Sequence, residues 1–383
     1  MKKRQVYFHI GLAKAGSSAL QEYLSVNAAT LADHGVFYPY PEDRETISSG
    51  FCSGNLVHML QRQATKDNNA AVSPTLSQAY LEPIVQMGLA ATDHAKVVFS
   101  SETIAGSTAG ASLKSTVNFF ESLTSDFEVS IIAFVRDAYD QTMSGWKQGI
   151  KVGKHRQSFG DFVMERIEKN SFAIENLQPF ISAGLDLRLI NYDVHRKDIF
   201  SVLLREIGAE QALPQLCKLA NRPSNPSLSY WQAMQVVMAN KHIGSSLLNA
   251  SLAKRFRGET DNRPDPYFRE VDRMILDHLS KPIERLNALL PTGEKLRNTV
   301  RASESDDKAG NGLSIEGMVS FMEVVAEVLD LERNRGPVKP QVGLPADFDP
   351  LVYLLLNPDV DEADADPVQH YVNHGRFERR SYS

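Results

Sequence analysis

The stretch VYFHIGLAKAGSSALQEY, residues 6–23, decides how the rest of the chain is read. Val6 to Ile10 is a run of apolar, β-branched and aromatic residues of strand length. From Ser17 onward, Leu20, Tyr23 and Leu24 recur at helical spacing. Between them lies Gly11-Leu-Ala-Lys14-Ala15-Gly16. A strand, a loop with two glycines and a lysine, then a helix opened by two hydroxyl residues is how a chain builds an anion site. The first amides of a helix lack partners, its dipole places partial positive charge there, and glycines let the backbone come close to a phosphate. Ser17 and Ser18 add hydroxyl donors, and Lys14 adds a full charge.

Spacing says more than composition. A Walker A loop reads GxxxxGK[ST], with the lysine directly after the second glycine. Gly11 and Gly16 keep that separation, but Ser17 stands at the lysine position and the loop's own lysine is Lys14. This argues against an ordinary nucleotide triphosphatase. The pattern resembles the 5'-phosphosulfate loop of sulfotransferases that use 3'-phosphoadenosine 5'-phosphosulfate (PAPS): a strand, K-x-G-[ST]-[ST], then a helix. The longer run HIGLAKAGSSALQEYLSVNAATLADHGVFYP, residues 9–39, resembles bacterial members that begin hIGxxKTGTTxLQ and soon reach Gly-Val-x-Tyr-Pro. Ser17 and Ser18 stand at the adjacent threonines of that pattern and retain the donor. The resemblance implies PAPS as sulfuryl donor, with Lys14, Ala15, Gly16, Ser17 and Ser18 around its 5' end and no metal required.

The chain has 383 residues, 42% of them hydrophobic and 23% charged, enough for a large core in one big domain with an appendage, or in two domains. Its net charge of -6 argues against a general nucleic-acid binder. Cys52 and Cys217 lie far apart without metal-ligand spacing and read as buried, inert thiols in a reducing compartment. The apolar run after the basic Met1 to Arg4 is short and is broken by His9, Lys14 and Gly16, so no secretory signal is expected. Nothing approaches the roughly twenty apolar residues of a membrane span. The expected location is the cytoplasm, where PAPS is made.

Further along, Tyr38 to Ser53 reads as a long loop and Gly54 to Gln63 as a short helix carrying Asn55 and His58. Leu76 to Thr92 reads as a helix and Lys96 to Glu102 as a second core strand. A helix over Ser112 to Thr124 leads to a third strand, Val129 to Val135, whose almost unbroken apolar run suits a sheet covered on both faces. Arg136-Asp137 and a polar helix with Ser144, Trp146 and Lys147 follow. Asp186 to Tyr192 gives a fourth strand and Lys197 to Ile207 its helix. The alternation predicts an α/β fold, a three-layer doubly wound parallel sheet with a helical C-terminal extension. Ligands of such sheets bind beyond the carboxyl ends of the strands, where the loop, Glu102 and Arg136 all fall.

Ser227 to Pro291 is mainly helical in pattern, with Tyr230 to Lys241 and Pro266 to Leu290 clearest. Thr292 to Gly312 is polar and reads as a mobile loop. The expected organisation is a sulfotransferase domain over 1–335, a linker over 336–346 and a small helical module over 347–383. Phe348-Asp349, Tyr353-Leu354, Asn357-Pro-Asp-Val360, His370-Tyr371, Gly375 and Glu378-x-Arg380 resemble a C-terminal module of bacterial sulfotransferases and glycan-processing enzymes. His370 and His374 have the i, i+4 spacing of a zinc site. No third ligand stands beside them, and they read as packing or surface histidines.

Arg136 and Ser144, eight residues on, match the arginine and serine of the same family's 3'-phosphate motif in FVRDAYDQTMSGWKQ. An arginine fork suits phosphate through two charged hydrogen bonds. The structural alternative is a capping salt bridge from Arg136 to a neighbouring acid. Ile131 to Asp137 also resembles a Walker B strand with Asp137 as magnesium ligand, but Arg136 beside it disfavours a cation. Glu102 resembles the strand-end base of glycan-type sulfotransferases, with His58 in reserve and an ion pair to Lys14 or Arg136 as the alternative role. His9, inside a strand, reads as a core or sheet-face residue. Asn221 to Leu228 resembles a segment after the fourth strand in bacterial relatives, and reads equally well as a surface loop.

These readings converge on in-line sulfuryl transfer to a hydroxyl of a carbohydrate or other polar acceptor, small molecule or glycan. Two other classes remain: a P-loop kinase or nucleotidase, which needs magnesium and a triphosphate, and an idle glycan-binding scaffold.

Overall fold

In the computed structural model, residues 3–39, 78–101, 104, 111–151, 154–216, 228–242, 265–301, 322, 324–325, 344–345, 348–357, 359–360 and 365–376 are described. Strand β1 is Arg4–Ile10, followed by helices α1 (Ser17–Val26) and α2 (Ala28–Asp33) and the short strand β2 (Val36–Phe37). Helix α3 (Gln78–Ala90), β3 (Lys96–Ser101), α4 (Ala111–Leu123) and β4 (Phe127–Val135) come next. Helices α5 (Ala138–Lys151) and α6 (Phe159–Lys169), β5 (Asp186–Asn191), α7 (Tyr192–His195), α8 (Ile199–Glu206), α9 (Tyr230–His242) and α10 (Asp265–Leu289) complete the main elements.

The five strands form one parallel sheet in the order β2-β3-β1-β4-β5. The expected α/β class and doubly wound parallel architecture are what the strands adopt. The chain leaves β1 toward β3 on one side and returns to β4 on the other, so the carboxyl end of β1 is the switch point where such sheets bind ligands. Alternation along β1 divides its side chains between two covered faces. Phe8 stacks on Phe99 and, at 4.2 Å between ring centroids, on Phe120 of α4. Tyr7 and His9 point to the other face, where Tyr23 of α1 stacks on Phe200 of α8 at 4.1 Å. Burial on both faces is why β1 and β4 read as nearly continuous apolar runs. The two-residue β2, at the sheet edge, is too short to leave a strand pattern in the sequence.

The chain forms two compact units: Met1–Gln141 with Arg166–Arg222 and Ile275–Thr299, and Thr142–Glu165 with Pro223–Met274 and Val300–Ser383. The whole sheet lies in the first. In the second, Trp146 is fully buried against Phe159 and Tyr230, with its indole N–H donated to Gln157 O at 3.1 Å. Ser229 and Gln232 close the start of α9 reciprocally, each side chain accepting from the other's amide. Near the C-terminus, Phe348, Tyr353, Val360 and Tyr371 form a small buried cluster. Tyr353 Oη and His370 Nδ1 lie 2.8 Å apart, which gives that histidine a packing partner. Among the described residues no helix is long and apolar enough to cross a membrane.

The polar stretch expected to be mobile from Thr292 is, in its described part, anchored. Leu296 is buried and its amide donates to Asn287 Oδ1, while Arg297 pairs with Asp137. Thr292, Gly293, Lys295, Asn298 and Thr299 around these anchors are exposed. Residues 302–312 lie outside the described residues, as do Tyr40 to Ser53, Gly54 to Gln63, Cys217 and Asn221 to Ser227.

Candidate functional site

The loop after β1 is held by its neighbours on every side. Gly11 N donates to Ser101 O at the end of β3 (3.0 Å), and Ser17 Oγ donates to Leu12 O (3.3 Å). Lys14 is exposed and has φ +64°, a left-handed backbone that side-chain-bearing residues seldom adopt. Gly16 (φ +80°) occupies the N-cap of α1, where it offers no side chain to the first helical amides. A Cβ at position 16 would stand 2.8 Å from Tyr192 Cε2, so the glycine is required for both conformation and space. The result is a helix N-terminus whose N-cap residue supplies no side-chain acceptor, behind a lysine, the arrangement that favours an anion.

Ser17 and Ser18 differ. Ser17 is 3% exposed, with its hydroxyl committed to the loop, whereas Ser18 is exposed on the first turn. Ala15 is fully buried beneath the loop.

Arg136 follows β4 directly. Its Nε pairs with Asp193 Oδ1 at 3.2 Å, its Nη1 donates to Lys14 O at 3.2 Å, and its guanidinium lies over the Tyr192 ring, 5.5 Å from the centroid. The salt bridge weighed from sequence is therefore formed, with Asp193 as the acid, and the same arginine also touches the loop. Asp193 accepts from Asp137 N as well (2.9 Å), and its own amide is capped by Asn191 Oδ1. Asp137 is a structural carboxylate here: it accepts Asp140 N at the start of α5 and pairs with Arg297 at 3.0 Å. Those bonds engage both its oxygens. Among the described residues, no group of three His, Cys, Asp or Glu is placed to hold a metal ion.

Behind this layer, Glu294 accepts from Asn191 N and lies 3.0 Å from His195 Nε2. Gln141, 6% exposed on the first turns of α5, donates to Ala13 O at 2.8 Å. Sequence reading passed over Gln141, Tyr192, Asp193, Glu294 and Arg297. Only the RDxxxQ spacing of Arg136, Asp137 and Gln141 carried a usable signal. Ser144 is half-buried, two turns along α5 from Ala138. Glu102 and His58 lie outside the described residues; the described part of β3 ends at Ser101.

His9 is fully buried, with Nδ1 2.8 Å from Ser100 Oγ and the ring edge-on to Phe134. Burial lowers its pKa from the ordinary 6.5 to about 4, so it is a neutral core residue at physiological pH.

No protein-family model matches this chain, and no curated protein matches it. Solved structures similar to it include the following two. A sulfotransferase from Alicyclobacillus acidocaldarius is 12% identical, with 74% of this chain and 94% of that one covered and a TM-score of 0.36. Retinol dehydratase, in complex with androsterone and the inactive cofactor PAP, is 13% identical, with 73% and 82% covered and a TM-score of 0.30.

Proposed function

We propose that the protein is a sulfotransferase that moves a sulfuryl group from PAPS to a hydroxyl of a carbohydrate or other polar acceptor. The observation that carries this reading is the loop itself: Lys14 in a left-handed conformation, Gly16 at an N-cap that only glycine fits at the start of α1, with Arg136 bonded to the same loop. That donor set suits a nucleotide with two anionic ends. Bound PAPS supplies an activated sulfuryl group on a good leaving phosphate.

The chain's residues do the rest. The amides from Gly16 to Ser18 and the Ser18 hydroxyl bind the 5' phosphate. Arg136, released from Asp193, forks onto the 3'-phosphate, with Ser144 assigned as a second donor on sequence grounds. Lys14 stabilises the charge that develops on the bridging oxygen as its bond to sulfur breaks. Glu102, next in the chain after Ser101, takes the proton of the acceptor hydroxyl whose oxygen forms the new bond, and His58 is the reserve base. The sulfuryl group carries less negative charge than a phosphoryl group, so a lysine, helix amides and serine suffice without a metal.

Calorimetric titration with adenosine 3',5'-bisphosphate, beside ATP with magnesium, tests the reading. Metal-independent binding of the bisphosphate that weakens in Arg136→Ala is expected. Binding of magnesium-ATP alone would overturn it in favour of a kinase, and binding of neither would leave a scaffold.

A further inference from the structure

Two successive carbonyls of the loop are held from one side. Gln141 Nε2 donates to Ala13 O at 2.8 Å, and Arg136 Nη1 donates to Lys14 O at 3.2 Å. No peptide among the described residues is cis, and in a trans peptide the N–H points opposite to its own carbonyl. Fixing the carbonyls of Ala13 and Lys14 therefore fixes the directions of the Lys14 and Ala15 amides. Between these two peptides Lys14 adopts φ +64°, a conformation that is strained for a residue with a Cβ and persists only where neighbours enforce it. Arg136 has a second task with Asp193 and a proposed third with the nucleotide. Gln141 has no such charge to serve.

Its anchorage is rigid. Gln141 is 6% exposed, its amide donates to Asp137 O in the helix, and Asp137 is itself fixed by Arg297. A neutral amide, buried at a helix start and aimed at one loop carbonyl, contributes direction to the backbone rather than charge to a ligand.

Resting on the sulfotransferase reading, we propose that Gln141 is a positioning residue for the phosphosulfate loop: through Ala13 O it sets the loop amides and Lys14 in the orientation that receives the 5' end of the nucleotide. Its effect belongs to that end alone, because Gln141 bonds to the loop and the 3'-phosphate is assigned to Arg136.

The test titrates wild type and Gln141→Met, which keeps length and volume but removes the donor, with adenosine 5'-monophosphate and separately with adenosine 3'-monophosphate. The expected result is roughly three- to tenfold weaker binding of the 5'-phosphate, the scale of one lost hydrogen bond, with the 3'-phosphate unchanged. Gln141→Leu provides a second donor-free variant should the first fail to fold, and thermal midpoints monitor the fold. Unchanged 5'-phosphate binding, or equal weakening of both nucleotides, overturns the positioning role while leaving the proposed function standing. Wild type that binds neither nucleotide overturns both.

Discussion

Opposite ends of the same sheet carry arginines built into nearly identical surroundings. At the carboxyl end Arg136 lies over Tyr192 and pairs with Asp193 at 3.2 Å; at the amino end Arg188 lies over Tyr7 and pairs with Asp186 at 3.0 Å. Each is an arginine on an aromatic face beside an aspartate, with Glu206 Oε2 also 3.7 Å from Arg188, so that motif alone does not distinguish them. The backbone does. Arg188 donates to Glu206 O, the last residue of α8, and so is fixed by a helix C-terminus whose dipole already wants a cation. Burial opposes its charge, but the hydrogen bond and charge of Asp186 outweigh that and raise its pKa above the ordinary arginine value. Arg136 instead touches a loop whose next feature is a helix N-terminus, where an anion is wanted. The same three residue types sit by a helix C-terminus at one end of the sheet and by a helix N-terminus at the other.

The contrast can be broken experimentally. Lys14→Ala has the largest expected effect, a hundredfold to thousandfold loss in PAPS turnover with the fold intact, measured as bisphosphate release. Near-normal turnover would remove the carboxyl end's claim to chemistry. Arg136→Ala is expected to weaken bisphosphate binding by about ten- to a hundredfold, the range for a lost charged hydrogen bond. Arg188→Ala should leave that affinity unchanged and lower only the thermal midpoint. Equal effects of the two would erase the distinction.

On the strand joining the two ends, His9 offers a pH test. The unfolded imidazole gains a proton as pH falls through 6.5, while the buried ring stays neutral until about 4. The unfolded chain thus binds more protons in that window, and stability should fall by up to about 3 kcal/mol as pH drops across it. Urea unfolding at stepped pH should show this slope in wild type and lose it in His9→Asn. Smallest of all, Asp193→Asn keeps an acceptor for Asp137 N but frees Arg136 of its competing charge, and is expected to tighten bisphosphate binding several-fold.

How far the sequence could be read follows from the same contrast. Strands β1, β3 and β4 were legible because burial on both faces forces apolar runs, as in Ile131 to Val135. The glycine loop was legible because anion binding restricts residue type and spacing together. Asp193, Glu294 and Arg297 were not, because their partners lie 57, 103 and 160 residues away, and a polar residue carries no local mark of so distant a neighbour. Helix α6 was passed over although Ser158 before it caps the Asp161 amide and Asn170, at positive φ, ends it.

The Arg297 to Asp137 bond also bears on how the protein is made. It joins residues 160 apart, so the base of α5 that carries Gln141 and the end of β4 that carries Arg136 gain their final brace only after position 297 has been synthesised. On the ribosome, the sheet and glycine loop of a nascent chain emerge long before that. Ligand competence is therefore expected to arrive late in translation, as a finishing step distinct from the collapse of the core.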